Sequence, residues 1–130
     1  MKVRSKLNVV RLLKVVAVLA VGLGVICGAF YVKMVKNTSF TNRTNASSFS
    51  MVSKGQTMEE VLDVLGPPLF FYFLKDGGYW RHEDGDMVKK YKQYECILHY
   101  SKPIGDGDYL RREVILYDGV VVFIIAGPSG

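Results

Sequence analysis

An uncharged run from Val15 to Val32, VVAVLAVGLGVICGAFYV, leaves this chain few architectures to choose from. As a helix, its 18 residues would extend about 27 Å at about 1.5 Å per residue, close to the thickness of a bilayer's hydrocarbon core. A helix packed into a soluble core keeps one polar stripe toward water, and this run has none. Lys14 and Lys33 stand at its two ends, where long cationic side chains can snorkel to the membrane surface. The run is therefore expected to be a transmembrane helix, with the bilayer as its first partner.

Charge placement gives the expected orientation. Of the net +5, all is carried by Lys2, Arg4, Lys6, Arg11 and Lys14, ahead of the apolar run and without an acid among them. The remaining 12 basic residues balance all 12 acidic ones. Lys and Arg resist transfer across a bilayer, so the N-terminus is expected to be cytoplasmic and the C-terminal part exported to the periplasm or the cell exterior. A nucleic-acid partner would call for a basic patch within the folded part, which the balanced charge does not supply. A secretory signal peptide is a second reading, with cleavage after the small residues Cys27-Gly28-Ala29 and a secreted product. Ile26 and Gly24 occupy the positions where a lipoprotein signal has a small residue and a leucine, so lipidation of Cys27 is not expected.

Four segments follow: a basic flank (1–14), the membrane helix (15–32), a flexible linker (33–48) and a folded domain (49–130). The linker contains NTSFTNRTNASS, too polar to bury a face. Its N-x-[ST] triplets at Asn37, Asn42 and Asn45 would accept glycans in a eukaryotic secretory pathway. Cys27 and Cys96 fall in different segments, so no disulfide framework is expected.

Within the domain, Thr57 followed by Glu60 reads as a capping box opening a helix. Met58, Val61, Leu62 and Leu65 give that helix one apolar face, and Gly66-Pro67-Pro68 ends it. Strand-like runs follow at Leu69–Leu74, Tyr79–Glu83, Tyr94–Tyr100, Leu110–Tyr117 and Val120–Ile125. Asp118-Gly119 between the last two is a strong hairpin signal. The fold class expected is α+β: the N-terminal transmembrane or signal helix, then a short helix or helices on a three- to four-stranded antiparallel meander.

The segment GQTMEEVLDVLGPP, Gly55 to Pro68, resembles the Gly-Met-Thr-x-x-x-Val-x-x-x-Leu-Gly-x-Pro motif of the SmpA/OmlA (BamE-like) domain family. Tyr79-Trp80 and Tyr117-Asp118-Gly119-Val120-Val121 look like two further family features, an aromatic pair and a closing hairpin. The likeness spans about residues 49–126 and is sharp only over the motif. Gln56 stands where the family usually has Met, and the lipobox is missing. The resemblance implies helices before an antiparallel sheet and a role in envelope or outer-membrane protein assembly. It also marks Gly55, Thr57, Glu60, Val61, Leu65, Gly66, Pro68, Asp118 and Gly119 as structural positions.

Catalytic patterns are absent from the sequence. Cys96 and His99 lie three apart on one strand and so point to opposite faces. His82-Glu83-Asp84 with Asp86 lacks the ligand spacing of a calcium loop, and reads as a solvated turn. No phosphate loop, nucleophile elbow or dinucleotide fingerprint occurs. The expectation is a non-enzymatic interaction module without cofactor or metal, binding an envelope protein. An inhibitor-like or ligand-binding module is the alternative, and an exposed aromatic sheet face would mark it. Phe71, Phe73 and Trp80 are the candidate contacts, with core packing as their other reading. Gly24 and Gly28, four apart in the membrane helix, can support a homodimer.

Overall fold

The computed structural model describes residues 2–129, and side chains from Asn8 onward. It divides into two units, Met1–Lys33 and Met34–Gly130. Helix α1 runs from Lys2 to Lys36. Its Asn8–Lys36 portion, 29 residues, is long and apolar enough to cross a membrane or to serve as a signal sequence. Leu12, Val18, Val21 and Val25 are all more than 60% exposed, so this helix presents large apolar side chains on its surface.

The second unit is α+β, as expected. After α1 come β1 (Thr38–Phe40), α2 (Ala46–Ser50), α3 (Met58–Leu65), β2 (Phe70–Lys75) and β3 (Gly78–His82). A 3-10 segment (Gly85–Tyr91), β4 (Cys96–His99), β5 (Ser101–Pro103), β6 (Leu110–Tyr117) and β7 (Val120–Pro128) complete it. Five antiparallel strands form the main sheet in the order β3-β2-β4-β6-β7, and β1 pairs with β5 in a second, two-stranded sheet. The chain departs from a simple meander because β3 returns across β2 to reach β4, through the 3-10 segment.

The stretch expected to be a flexible linker is folded. Thr38 pairs with Pro103 and Phe40 with Ser101, so β1 is tied into the domain from its start. The Thr38 hydroxyl donates to Met34 O (2.6 Å) and accepts from Leu110 N–H (2.9 Å), which satisfies it in a buried place. Asn37 donates its side-chain amide toward the carbonyls of Gly105, Asp106, Gly107 and Asp108, at 3.1–3.4 Å. The nitrogen that a glycan would modify is thus occupied. Asn45 caps α2 with a complete reciprocal box to Ser48.

Helix α3 begins at Thr57, whose hydroxyl accepts from Glu60 N–H at 3.2 Å. Glu60 meets that hydroxyl at 3.3 Å, so this end carries a single-sided version of the expected box. Gly66 closes the helix at φ 73°, where a Cβ would press within 3.1 Å of the Arg43 side chain. Met58, Val61 and Leu65 are buried against Phe71, Leu98, Val114, Leu116 and Val121 of the sheet. Burial of each such side chain contributes about 1.5–3 kcal/mol, which is how a two-turn helix persists. Two Asp-Gly turns, at Asp76-Gly77 and Asp118-Gly119, have φ positive at both residues, the twist that two-residue hairpins favour.

The Asp84–Asp86 stretch is more than a solvated turn. Asp84 caps the 3-10 segment by accepting from Asp86 N–H (3.0 Å), and Gly85 and Val88 are buried. Pro68 is buried where Gly85 passes against its carbonyl.

Candidate functional site

Side chains alternate across a strand, so pairing register assigns each to a face. On the covered face, β2 sends Phe71 and Phe73, β4 sends Cys96 and Leu98, and β6 sends Val114 and Leu116. These meet α2, α3 and the 3-10 segment in one core. Two of the three expected contact residues belong here. Phe71 is fully buried, stacked on His82 at 5.1 Å between ring centroids. Phe73 is half-buried with its ring 4.4 Å from that of Tyr91. Neither offers a surface to a partner, because the helices took the face they point to. Trp80, opposite Phe73 on the edge strand β3, does stay exposed.

The other face carries Tyr72, Leu74, Tyr79, Ile97, Ile115, Tyr117, Phe123 and Ile125. Among the described residues of this unit, no helix packs over it. Tyr79, Tyr117 and Phe123 are more than half exposed, and Tyr72, Leu74, Ile97, Ile115 and Ile125 are partly so. An apolar, aromatic strip therefore crosses all five strands. The sequence held the signal for it, since the even-numbered members of the Phe70–Lys75 run alternate with those identified as contacts.

One end of this face is polar and tightly organised. Glu113 is 4% exposed and accepts from Arg111 Nε at 3.2 Å and Nη2 at 2.8 Å. His99 Nδ1 lies 3.4 Å from the same carboxylate, and its ring stacks on Phe70 at 4.5 Å. The Arg81 guanidinium sits over the Phe70 ring, 3.8 Å from its centre, and donates to the Tyr72 hydroxyl. Burial holds the His99 imidazole below its ordinary pKa; Glu113 pulls it up, while Arg81 and Arg111 push it further down. The arginines are satisfied by Glu83 and Glu113. A neutral imidazole between stacked and paired neighbours is arranged as a folded, rigid patch rather than as an open anion trap.

Cys96 points away from His99 into the core, where burial pushes its thiol up to about 12 and it donates to the Tyr91 carbonyl. Such a thiol carries almost no thiolate at neutral pH. Among the described residues, no three His, Cys, Asp or Glu side chains are grouped to share a metal ion.

The segment leading into α3 is held by backbone contacts to the last hairpin. Gly55 has φ 90° and donates to Val121 O at 2.9 Å. Val121 N–H donates to Gln56 O, and Met58 N–H to Gly119 O. The segment before α3 therefore borders the start of β7.

Comparison with protein-family models, with curated proteins and with solved structures finds no match to this chain.

Proposed function

We propose that this protein is a membrane-anchored, non-enzymatic interaction module of the cell envelope, one that captures another protein on the uncovered face of its main sheet. The observation that carries the reading is the strip of Tyr72, Ile97, Ile115, Tyr117 and Phe123, left partly or largely exposed with no helix of its own unit over it. Contiguous exposed apolar surface costs solubility, and soluble domains keep it mainly where a partner binds. Exposed Tyr and Phe on a rigid sheet give contact area at little entropic cost.

The anchoring part rests on α1 and on the basic residues that precede it, which favour a cytoplasmic N-terminus and an exported domain. The likeness of Gly55–Pro68 to the SmpA/OmlA motif supports a role in envelope or outer-membrane protein assembly. Signal cleavage would give a secreted form with the same binding face. Mass spectrometry of the mature N-terminus separates the two, since an anchor retains Met1 and a cleaved product starts near Phe30.

The binding test is capture from a detergent extract with the full chain and with Phe123→Asp and Tyr117→Asp variants. A specific protein recovered by the wild type and lost by both variants supports the reading. Recovery of nothing specific, or of a partner indifferent to both substitutions, refutes it.

An inhibitor-like module is the second reading, favoured by the same aromatic exposure. It requires the captured partner to be an enzyme whose turnover falls as the strip is occupied.

A further inference from the structure

The two edges of the main sheet differ. The outer edge of β3 carries Arg81 and His82, and charged side chains on an edge discourage pairing with another strand. The outer edge of β7 reads VVVFIIAGP, without a charge over nine residues. Its first part is closed, because Val121 exchanges hydrogen bonds with Gly55 and Gln56. Beyond Val121 the pairing with β6 skips Val122, a bulge, and resumes at Phe123 opposite Ile115.

Which backbone groups face outward follows from β6. Tyr100 N–H donates to Arg112 O, so Arg112, Val114 and Leu116 turn their backbone groups toward β4. Arg111, Glu113 and Ile115 then turn theirs toward β7, to Gly127, Ile125 and Phe123. Ile124 and Ala126 are left with N–H and C=O pointing away from the sheet. Among the described residues, no backbone hydrogen bond reaches them from outside. Val122, Ala126 and Pro128 are exposed, so the edge is open to approach.

We propose that this edge pairs with the same edge of a second copy of the chain, antiparallel about a two-fold axis through Ile125, giving one continuous sheet across the dimer. Self-pairing is selected by three properties of the strand. In this register Ile124 lies opposite Ala126 of the second copy, and Ala126 opposite its Ile124, so both outward-facing residues of each copy are satisfied. No charge meets its own image, because the paired segment holds none, whereas like charges directly opposite would repel. The ends are complementary: Lys54, whose Nζ lies 5.4 Å from the Phe123 ring centre, stands at one end of the open edge. Asp106 and Asp108 precede Tyr109, which is bonded to Ser129 at the other end. An antiparallel two-fold brings the basic end of each copy to the acidic end of the other. Pairing also continues the uncovered faces across the axis, through Ile125 against Ile125, independently of what protein that face binds.

The test uses the full chain in detergent, with Cys27→Ser to remove the exposed thiol. Light scattering should give a dimer, and Ala126→Lys should shift it to monomer while leaving the circular-dichroism spectrum unchanged, since Ala126 is exposed. A second variant, Ile125→Cys, should form a disulfide-linked dimer under mild oxidation, several-fold faster than Tyr117→Cys does. A monomeric wild type overturns the proposal. So does a dimer that survives Ala126→Lys, or one lost only on Gly24→Leu with Gly28→Leu, which would place the contact in α1.

Discussion

Glu113 and Arg111, two residues apart on β6, form a two-pronged ion pair in which the carboxylate is almost wholly shielded while the guanidinium is one-third exposed. The buried partner sets the cost of breaking it, because an unpaired buried charge has no water to turn to. Glu113→Gln keeps the shape but loses the charge-assisted bonds, and should lower stability by about 2 kcal/mol. Glu83→Gln, on the exposed pair with Arg81, should change it by less than about 0.5 kcal/mol. Denaturant midpoints of the full chain in detergent measure both.

His99 makes stability depend on pH in a definite direction. Its pKa is held below the ordinary 6.5 in the folded protein, mainly by burial. Above that pH both folded and unfolded chains carry a neutral imidazole, and the residue contributes no slope. As pH falls through 6.5 the unfolded chain binds a proton that the folded chain refuses, so stability declines until the folded pKa is reached. His99→Gln should flatten the stability profile over this window. A titration of the imidazole by NMR should find the His99 signal moving below the ordinary range.

Gly85 is fixed by space and not by backbone angle. A Cβ there would stand 1.8 Å from the Pro68 carbonyl oxygen, backbone against backbone. Gly85→Ala should cost about 3 kcal/mol or more, as an overpacked core position does. Gly78→Ala, with nothing within 4 Å of the added carbon, should stay within about 1 kcal/mol. Paired thermal melts distinguish them.

Asn37 holds the loop before β6 mainly through its side chain, beside one backbone bond in which its carbonyl accepts from Ile104 N–H at 2.8 Å. Its Oδ1 accepts from Gly105 N–H at 2.9 Å while its amide faces four carbonyls of the same loop. Asn37→Ala should release that loop, raising amide exchange at Gly105 at least tenfold and costing about 1–3 kcal/mol. Exchange at Val114 and Leu116, deep in the sheet, should follow only the global loss.

Signals carried by neighbouring residues were legible in the sequence. The α1 run, the Thr57 cap, the Gly66 stop and the Asp118-Gly119 hairpin each depend on backbone angles and side chains within a few positions of one another. That locality is why α3 and the β6–β7 hairpin stand as expected. Polar residues 37–48 looked like a tether because their partners lie elsewhere: Thr38 is satisfied at Leu110, and Asn37 at Gly105 to Asp108.

Alternation along Phe70–Lys75 fixes that Phe71 and Phe73 share one face and that Tyr72 and Leu74 share the other. Which of the two faces meets water is settled only when α2, α3 and the 3-10 segment choose a side, since a strand's pattern is the same whichever face is covered. Tertiary packing chose to bury Phe71 and to leave Tyr72 on the uncovered side. It also joined Arg111, His99 and Glu113, drawn from two strands, into a cluster that no spacing along the chain announces.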